Sequence, residues 1–203
     1  MTEIGLFPLA LVLLPTERVP LHIFEPRYKE LIGECLTEGR EFGLVLEDDQ
    51  GRREIGTRAG VIEVLQVFDD GRMNVVVEGR ERFRLLELTG GRAFLTGDVE
   101  PLDDDVDPPE EEDVERAVAA FRRLVDVAEA EVDEPGGEEA PLSFELASRV
   151  DFGLELKQEL LELRSERSRL KRLAELIERA VEAMKLEREI RDRAARNGKV
   201  GPR

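Results

Sequence analysis

The hydrophobic period of this chain changes once along its length, and charge marks the place. Up to about residue 100 the apolar residues alternate or run in short β-branched stretches, whereas from about Val114 they return every three or four positions. Between the two lies Pro101 to Glu115, with nine acidic residues, Pro108 and Pro109, and no base. Like charges interrupted by prolines disfavour both ladder and helix, so this stretch reads as a solvated linker. The pattern predicts an α+β chain: a β-rich unit over residues 1–100, an acidic linker over 101–113, a helical unit over 114–197 and a tail over 198–203.

Within the first unit the clearest element is a hairpin. Val61 to Phe68 is rich in β-branched residues, Asp69 to Arg72 reads as a turn, and Met73 to Gly79 returns. Asp70-Gly71 accepts the positive backbone angles of tight hairpin turns. Arg80 to Leu88 and Ala93 to Val99 supply further short strands, with Gly79 marking a bulge or bend. One helix interrupts them: Pro26 suits a first turn, Gly39 a stop, and Tyr28, Leu31, Ile32, Cys35 and Leu36 share a face.

The second unit should hold a helix from about Val114 to Val132, with Glu110 to Asp113 at its positive end. Asp133 to Pro141 reads as a second polar loop, and a short helix follows from Ser143 to Val150 with Gly153 as breaker. A near-heptad seam then runs through Leu156, Leu160, Leu163, Leu170, Ala174, Ile177, Val181 and Met184. Arg167 breaks it and Ser165 is a candidate cap, so the spacing predicts a short helix to Arg164 and a long one from Glu166. A helix of roughly 30 residues spans about 45 Å. Its end should project from a unit this small.

Charge and composition exclude several roles. The net charge is -17, with residues 101–154 the most acidic, so a phosphate backbone or an anionic membrane surface is repelled. Neither nucleic acid nor membrane is an expected partner. The single cysteine, Cys35, permits no internal disulfide and suits a reducing compartment, which makes cytoplasm the expected location.

No chemistry-bearing constellation stands out. His22 is the only histidine, and one Cys with one His falls short of the ligands a structural zinc site takes. Ser143 with Lys157, or Ser165 with Lys171, makes a formal Ser-Lys pair, but both serines are better explained as helix caps. Asp103, Asp104, Asp105 and Asp107 lack the glycine and terminal glutamate of a calcium loop, so they are read as solvated. No catalytic residue, metal or cofactor is therefore assigned. Phe24, Arg27 and Tyr28, where an extended segment meets the first helix, are candidates for a peptide groove; the alternative is that Phe24 and Tyr28 pin that helix to the strands. Exposed strand edges are a second candidate peptide site.

Leu6-Phe7-Pro8-Leu9, Val19 to Tyr28, Glu54-Ile55-Gly56-Thr57 and Val77 to Phe83, in that order, resemble the Lon protease N-terminal domain family. Asp151 to Leu163, followed by Arg169-Leu170 and Leu173, resembles the helical continuation of the same domain. The resemblance implies a PUA-like pseudo-barrel joined to helices, recognition of unfolded or tagged polypeptide, and support of oligomer assembly. Residues 1–203 contain no G-x-x-x-x-G-K-[ST] loop and no following protease unit, which points to a stand-alone, non-catalytic relative. The expected function is binding of polypeptide segments or a partner protein, with a homo-oligomer through the C-terminal helix. The competing readings are a peptidase-associated activity and a small-molecule or RNA binder on the barrel.

Overall fold

Six strands and five helices follow one another in a computed structural model that describes residues 2–132 and 141–197. In chain order they are β1 (Thr2–Leu9), β2 (Arg18–Ile23), α1 (Pro26–Glu38), β3 (Phe42–Asp48), β4 (Gly51–Val67), β5 (Met73–Thr89) and β6 (Thr96–Pro101). Then come α2 (Glu111–Ala128), α3 (Leu142–Ala147), α4 (Gly153–Glu162) and α5 (Glu166–Asn197). The loop expected at Asp133 to Pro141 lies, apart from Pro141, outside the described residues, as does the expected tail.

The strand order is β2-β5-β4-β3-β1-β6, and β6 also pairs with β5. β5, β4, β3, β1 and β6 therefore close into a ring, with β2 beside β5. β1 and β3 run parallel, and the other pairs are antiparallel. Closure removes most of the edges an open sheet would leave. Ile4, Leu6, Val45, Phe83 and Val99 fill the inside.

β4 and β5 are 17 residues each, rather than the short strands that the pattern predicts. Bulges make this possible, because they bend one strand until it serves two sets of neighbours. One lies beside Gly79: Thr57 opposes Arg82 and Ala59 opposes Gly79, leaving an extra residue in β5. A Cβ on Gly79 would sit 2.1 Å from the Leu14 carbonyl oxygen, so this close backbone approach requires glycine. Thr16 and Gly79 fasten it, with the Thr16 N–H donating to Gly79 O at 2.8 Å and the Gly79 N–H to Glu17 O at 2.9 Å.

α1 lies across the outside of the ring, burying Tyr28, Leu31, Ile32 and Cys35 against Phe7, Phe42, Val75 and Val77. Leu36, read from its spacing as part of that face, is exposed. The face is narrower than expected by that one residue.

A third cluster joins the two halves of the chain. Val12, Leu14, Leu46, Ile55 and Leu102 from the strand-bearing half pack with Phe121, Phe144, Leu160, Leu170, Leu173 and Ile177 from the helices. Each such side chain contributes about 1.5–3 kcal/mol on burial, so this cluster is a principal bond between the halves. α2 lies along α5, where Arg116 donates to Glu178 at 3.1 and 2.8 Å. α2 starts at Glu111, so its acidic residues form the first turn rather than preceding it, and it ends at Ala128, short of Val132. Ser165 caps α5 as its position predicts, accepting the Ser168 N–H at 3.0 Å.

The acidic stretch between the halves is not simply solvated. Asp104 lies between Arg82 of β5 and Arg169 of α5, both buried, and forms ion pairs with each. Arg169 is 0% exposed. Its guanidinium donates to Asp104 at 2.7 Å, Leu163 O at 2.8 Å, Ser143 Oγ at 2.8 Å and Glu166 at 2.8 Å. Arg82 donates to the Leu161 and Leu163 carbonyls, each at 2.7 Å, and both guanidinium groups lie over the Phe144 ring. Farther along, Asp107 accepts from the Ser165 hydroxyl at 2.6 Å and Asp113 from Arg167 at 3.0 Å. Asp104, Asp107 and Asp113 are thus partnered instead of solvated as expected, because the groups that meet them are distant in sequence.

Candidate functional site

At the entry to α1 the three singled-out residues part company. Tyr28 is buried and stacks on Phe7 with ring centroids 3.9 Å apart, and burial is the main cause that raises its phenol above the ordinary value. It pins the helix. Arg27 lies over the Tyr28 ring at 4.5 Å and donates to Glu25 at 2.9 Å. Phe24 turns outward and is 58% exposed. Its ring stacks with that of His22 at 5.9 Å, and His22 in turn meets Asn74 at 2.6 Å and the Phe68 ring at 6.1 Å.

Those contacts place Phe24 beside the β4–β5 hairpin. The outer part of this hairpin leaves Val64, Leu65 and Val67 exposed, Val67 at 65%. Isolated apolar residues on a surface need no explanation, and by register these lie on both faces of the arm: Val64 and Val67 oppose Val75 and Met73, whereas His22, which stacks with Phe24, opposes Asn74. The arm is held firmly. β2 pairs with β5 from Arg18↔Glu78 to Ile23↔Met73, and Lys29 of α1 donates to the Asp70 carbonyl at 2.8 Å. Asp70-Gly71 forms the predicted turn, with Gly71 at φ +79 and its N–H donating to Phe68 O at 2.9 Å. The arm is thus already ordered where its apolar side chains are exposed.

The formal Ser-Lys pairs have other partners. Ser143 bonds Glu166 and Arg169, while Lys157 pairs with Glu17. Ser165 is engaged by Asp107, and Lys171 by Asp113. Burial pushes the Cys35 thiol up to about 11, which keeps it protonated and unreactive near neutral pH. Among the described residues no group of three or more His, Cys, Asp or Glu is arranged to hold a metal ion.

A family model describing the ATP-dependent protease La (LON) substrate-binding domain matches residues 3–179. The chain belongs to this family. Among relatives in the family, Lon protease 1 of Hydrogenovibrio crunogenus is 25% identical over 209 residues, covering 93% of this chain and 25% of that protein. The Lon protease of Anaeromyxobacter dehalogenans is 28% identical over 196 residues, covering 88% of this chain and 23% of its own. The chain thus spans about a quarter of the length of these curated relatives. A crystal structure of a Lon N-terminal domain protein from Xanthomonas campestris superposes with a TM-score of 0.67 at 27% identity, covering 85% of this chain and 97% of that one. The N-terminal domain of the Mycobacterium avium complex Lon protease gives a TM-score of 0.65 at 15% identity, which shows the shared fold.

Family membership places the match on the substrate-binding part of such proteases rather than on their catalytic part. No described helix is long and apolar enough to cross a membrane. The exposed aliphatic residues of the hairpin arm were absent from the candidate residues named from sequence. The available signal was the run Val61 to Phe68, in which apolar pairs are separated by Glu63 and Gln66 where a half-buried strand would alternate strictly.

Proposed function

We propose that this protein captures polypeptide segments that expose apolar side chains, without acting on them chemically, and that the hairpin arm with Phe24 is the contact surface. The observation carrying this reading is the exposure of Phe24, Val64, Leu65 and Val67 on a braced arm, in a chain of the substrate-binding family. Apolar contacts of this kind accept many sequences because they ask only for burial.

Titration with fluorescently labelled, reduced and carboxymethylated α-lactalbumin, which cannot fold, tests the proposal. The wild-type chain should bind it saturably, and a Phe24→Ser/Val67→Ser variant should bind at least about tenfold more weakly with its melting curve unchanged. Equal affinity in the two proteins would remove the arm from the site. Casein incubated with the protein and ATP should remain intact; cleavage that depends on a serine of this chain would favour the enzymatic reading instead.

A self-association role for the end of α5 is a second reading, favoured by Leu186 and Ile190, which are exposed one turn apart. Light scattering over a concentration series tests it. The expected dimer should be lost in Leu186→Glu.

A further inference from the structure

Two strands run on past the end of the strand between them. β3 pairs with β1 only from Leu6↔Gly43 onward, and with β4 only as far as Phe42↔Ala59. Before Leu6, β1 pairs on one side alone, Thr2 through Gly5 with Val99 through Thr96 of β6. β4 beyond Ala59 likewise pairs only with β5. The chain leaves the row of β3 at Phe42 because residues 39–41 lead back to α1. A groove of about 730 Å³ lies here, lined by β1 from Thr2 to Gly5, by Leu31 and Cys35 of α1, by Phe94 and by Arg58.

The chemistry of the groove is uneven along its length. Leu31, Cys35 and Phe94 are buried and present an apolar floor. Two of its three arginines are engaged, Arg40 by Glu38 at 2.7 Å and Arg92 by Glu34. Arg58 is half-buried and forms no ion pair among the described residues. It lies in register with Gly43, whose added Cβ would meet Ile4, Leu6 and Phe83, so the pair takes the inner side of the ring. Glu3 and Glu41 also line the groove, at exposed positions. A half-buried guanidinium has given up part of its hydration, and a carboxylate in bidentate geometry is the group best shaped to replace it.

We infer that an extended polypeptide segment adds as a strand to the Thr2–Gly5 edge of β1, seating an apolar side chain against Leu31 and Phe94 and an acidic side chain against Arg58. The inference rests on the polypeptide-binding reading and gives it a second, directional site. Main-chain hydrogen bonds supply sequence-tolerant affinity, and the alternate side chains supply selection. The edge is only about 13 Å long at about 3.3 Å per residue, so the backbone bonds alone are few and the two side-chain anchors decide binding.

The probe is a fluorescein-labelled short peptide alternating valine and threonine around one central glutamate, titrated into the full chain and followed by anisotropy and by hydrogen–deuterium exchange. The expected result is saturable binding with slowed exchange at the Thr2–Gly5 amides. A peptide carrying glutamine in place of glutamate should bind about tenfold more weakly, and Arg58→Gln should bind both peptides alike at that weaker level. A backbone N-methylated peptide should not bind. Protection at Val64–Val67 in place of Thr2–Gly5, unaltered discrimination by Arg58→Gln, or no binding overturns the inference. The exchange measurement uses the wild-type chain and does not depend on how any variant folds. If unfolded α-lactalbumin binds while the strand peptide does not, the edge site alone fails; if neither binds, the polypeptide reading fails with it.

Discussion

The hairpin arm and the junction around Asp104 reverse the usual distribution of chemistry. On the arm, Phe24, Val64, Leu65 and Val67 meet water; at the junction, Arg169 and Arg82 are buried beside a carboxylate. Both arrangements cost free energy, but in different ways. Exposed aliphatic groups forgo burial, and a partner can restore it. Buried charges forgo hydration, and only partners inside the molecule restore that. The junction is therefore complete in itself, with donors to two carboxylates, a hydroxyl and two carbonyls, whereas the arm leaves its apolar side chains in water.

Asp104→Ala breaks the comparison hardest. It leaves two buried guanidinium groups without their shared counter-ion, and about 3–5 kcal/mol of stability should be lost in urea unfolding. The same bond has a pH signature. Burial of Asp104 acts to raise its pKa, but hydrogen bonds and charge from Arg169 and Arg82 outweigh it and hold the carboxyl below the usual range. A depressed folded value means that the contribution is complete above the unfolded value of about 4 and is lost as pH falls through the folded value. The urea midpoint should therefore fall on acidification below about pH 4, and less steeply in Asp104→Asn.

Gly79→Ala comes next. Its Cβ meets backbone rather than a yielding side chain, so about 1–3 kcal/mol should be lost through displacement of the Leu13–Leu14 segment. Ser165→Ala removes the α5 cap and the bond to Asp107, for about 1 kcal/mol in the same measurement. At the small end, Phe24→Ser and Val67→Ser should leave the midpoint within about 0.5 kcal/mol while weakening capture of the unfolded probe. A large loss of stability in these two would mean that the arm packs on the molecule and is not a free surface.

Much of the fold was legible along the chain because the interactions responsible are local. The hairpin turn at Asp70-Gly71, α1 between Pro26 and Gly39, and the restart of helix after Ser165 each depend on residues within a few positions. Strand length was not legible. β4 and β5 bend at bulges that arise only when a second and third strand set the register. Of the candidate residues, the sequence grouped Phe24, Arg27 and Tyr28 by position, but whether a ring at the mouth of a helix points inward or outward depends on what lies opposite. Phe7 lies opposite Tyr28, while Phe24 meets the exposed His22 ring.

The sequence by itself determined the change from strand to helix, the bounds of α1, the start of α5 and the family, because periodicity, caps and short motifs are properties of neighbouring residues. Only the tertiary structure decided that the acidic stretch closes the molecule instead of merely spanning it. Asp104 meets Arg82 and Arg169 across 22 and 65 positions. Charge at one position shows how much a group needs a partner, but the folded chain alone brings that partner within reach.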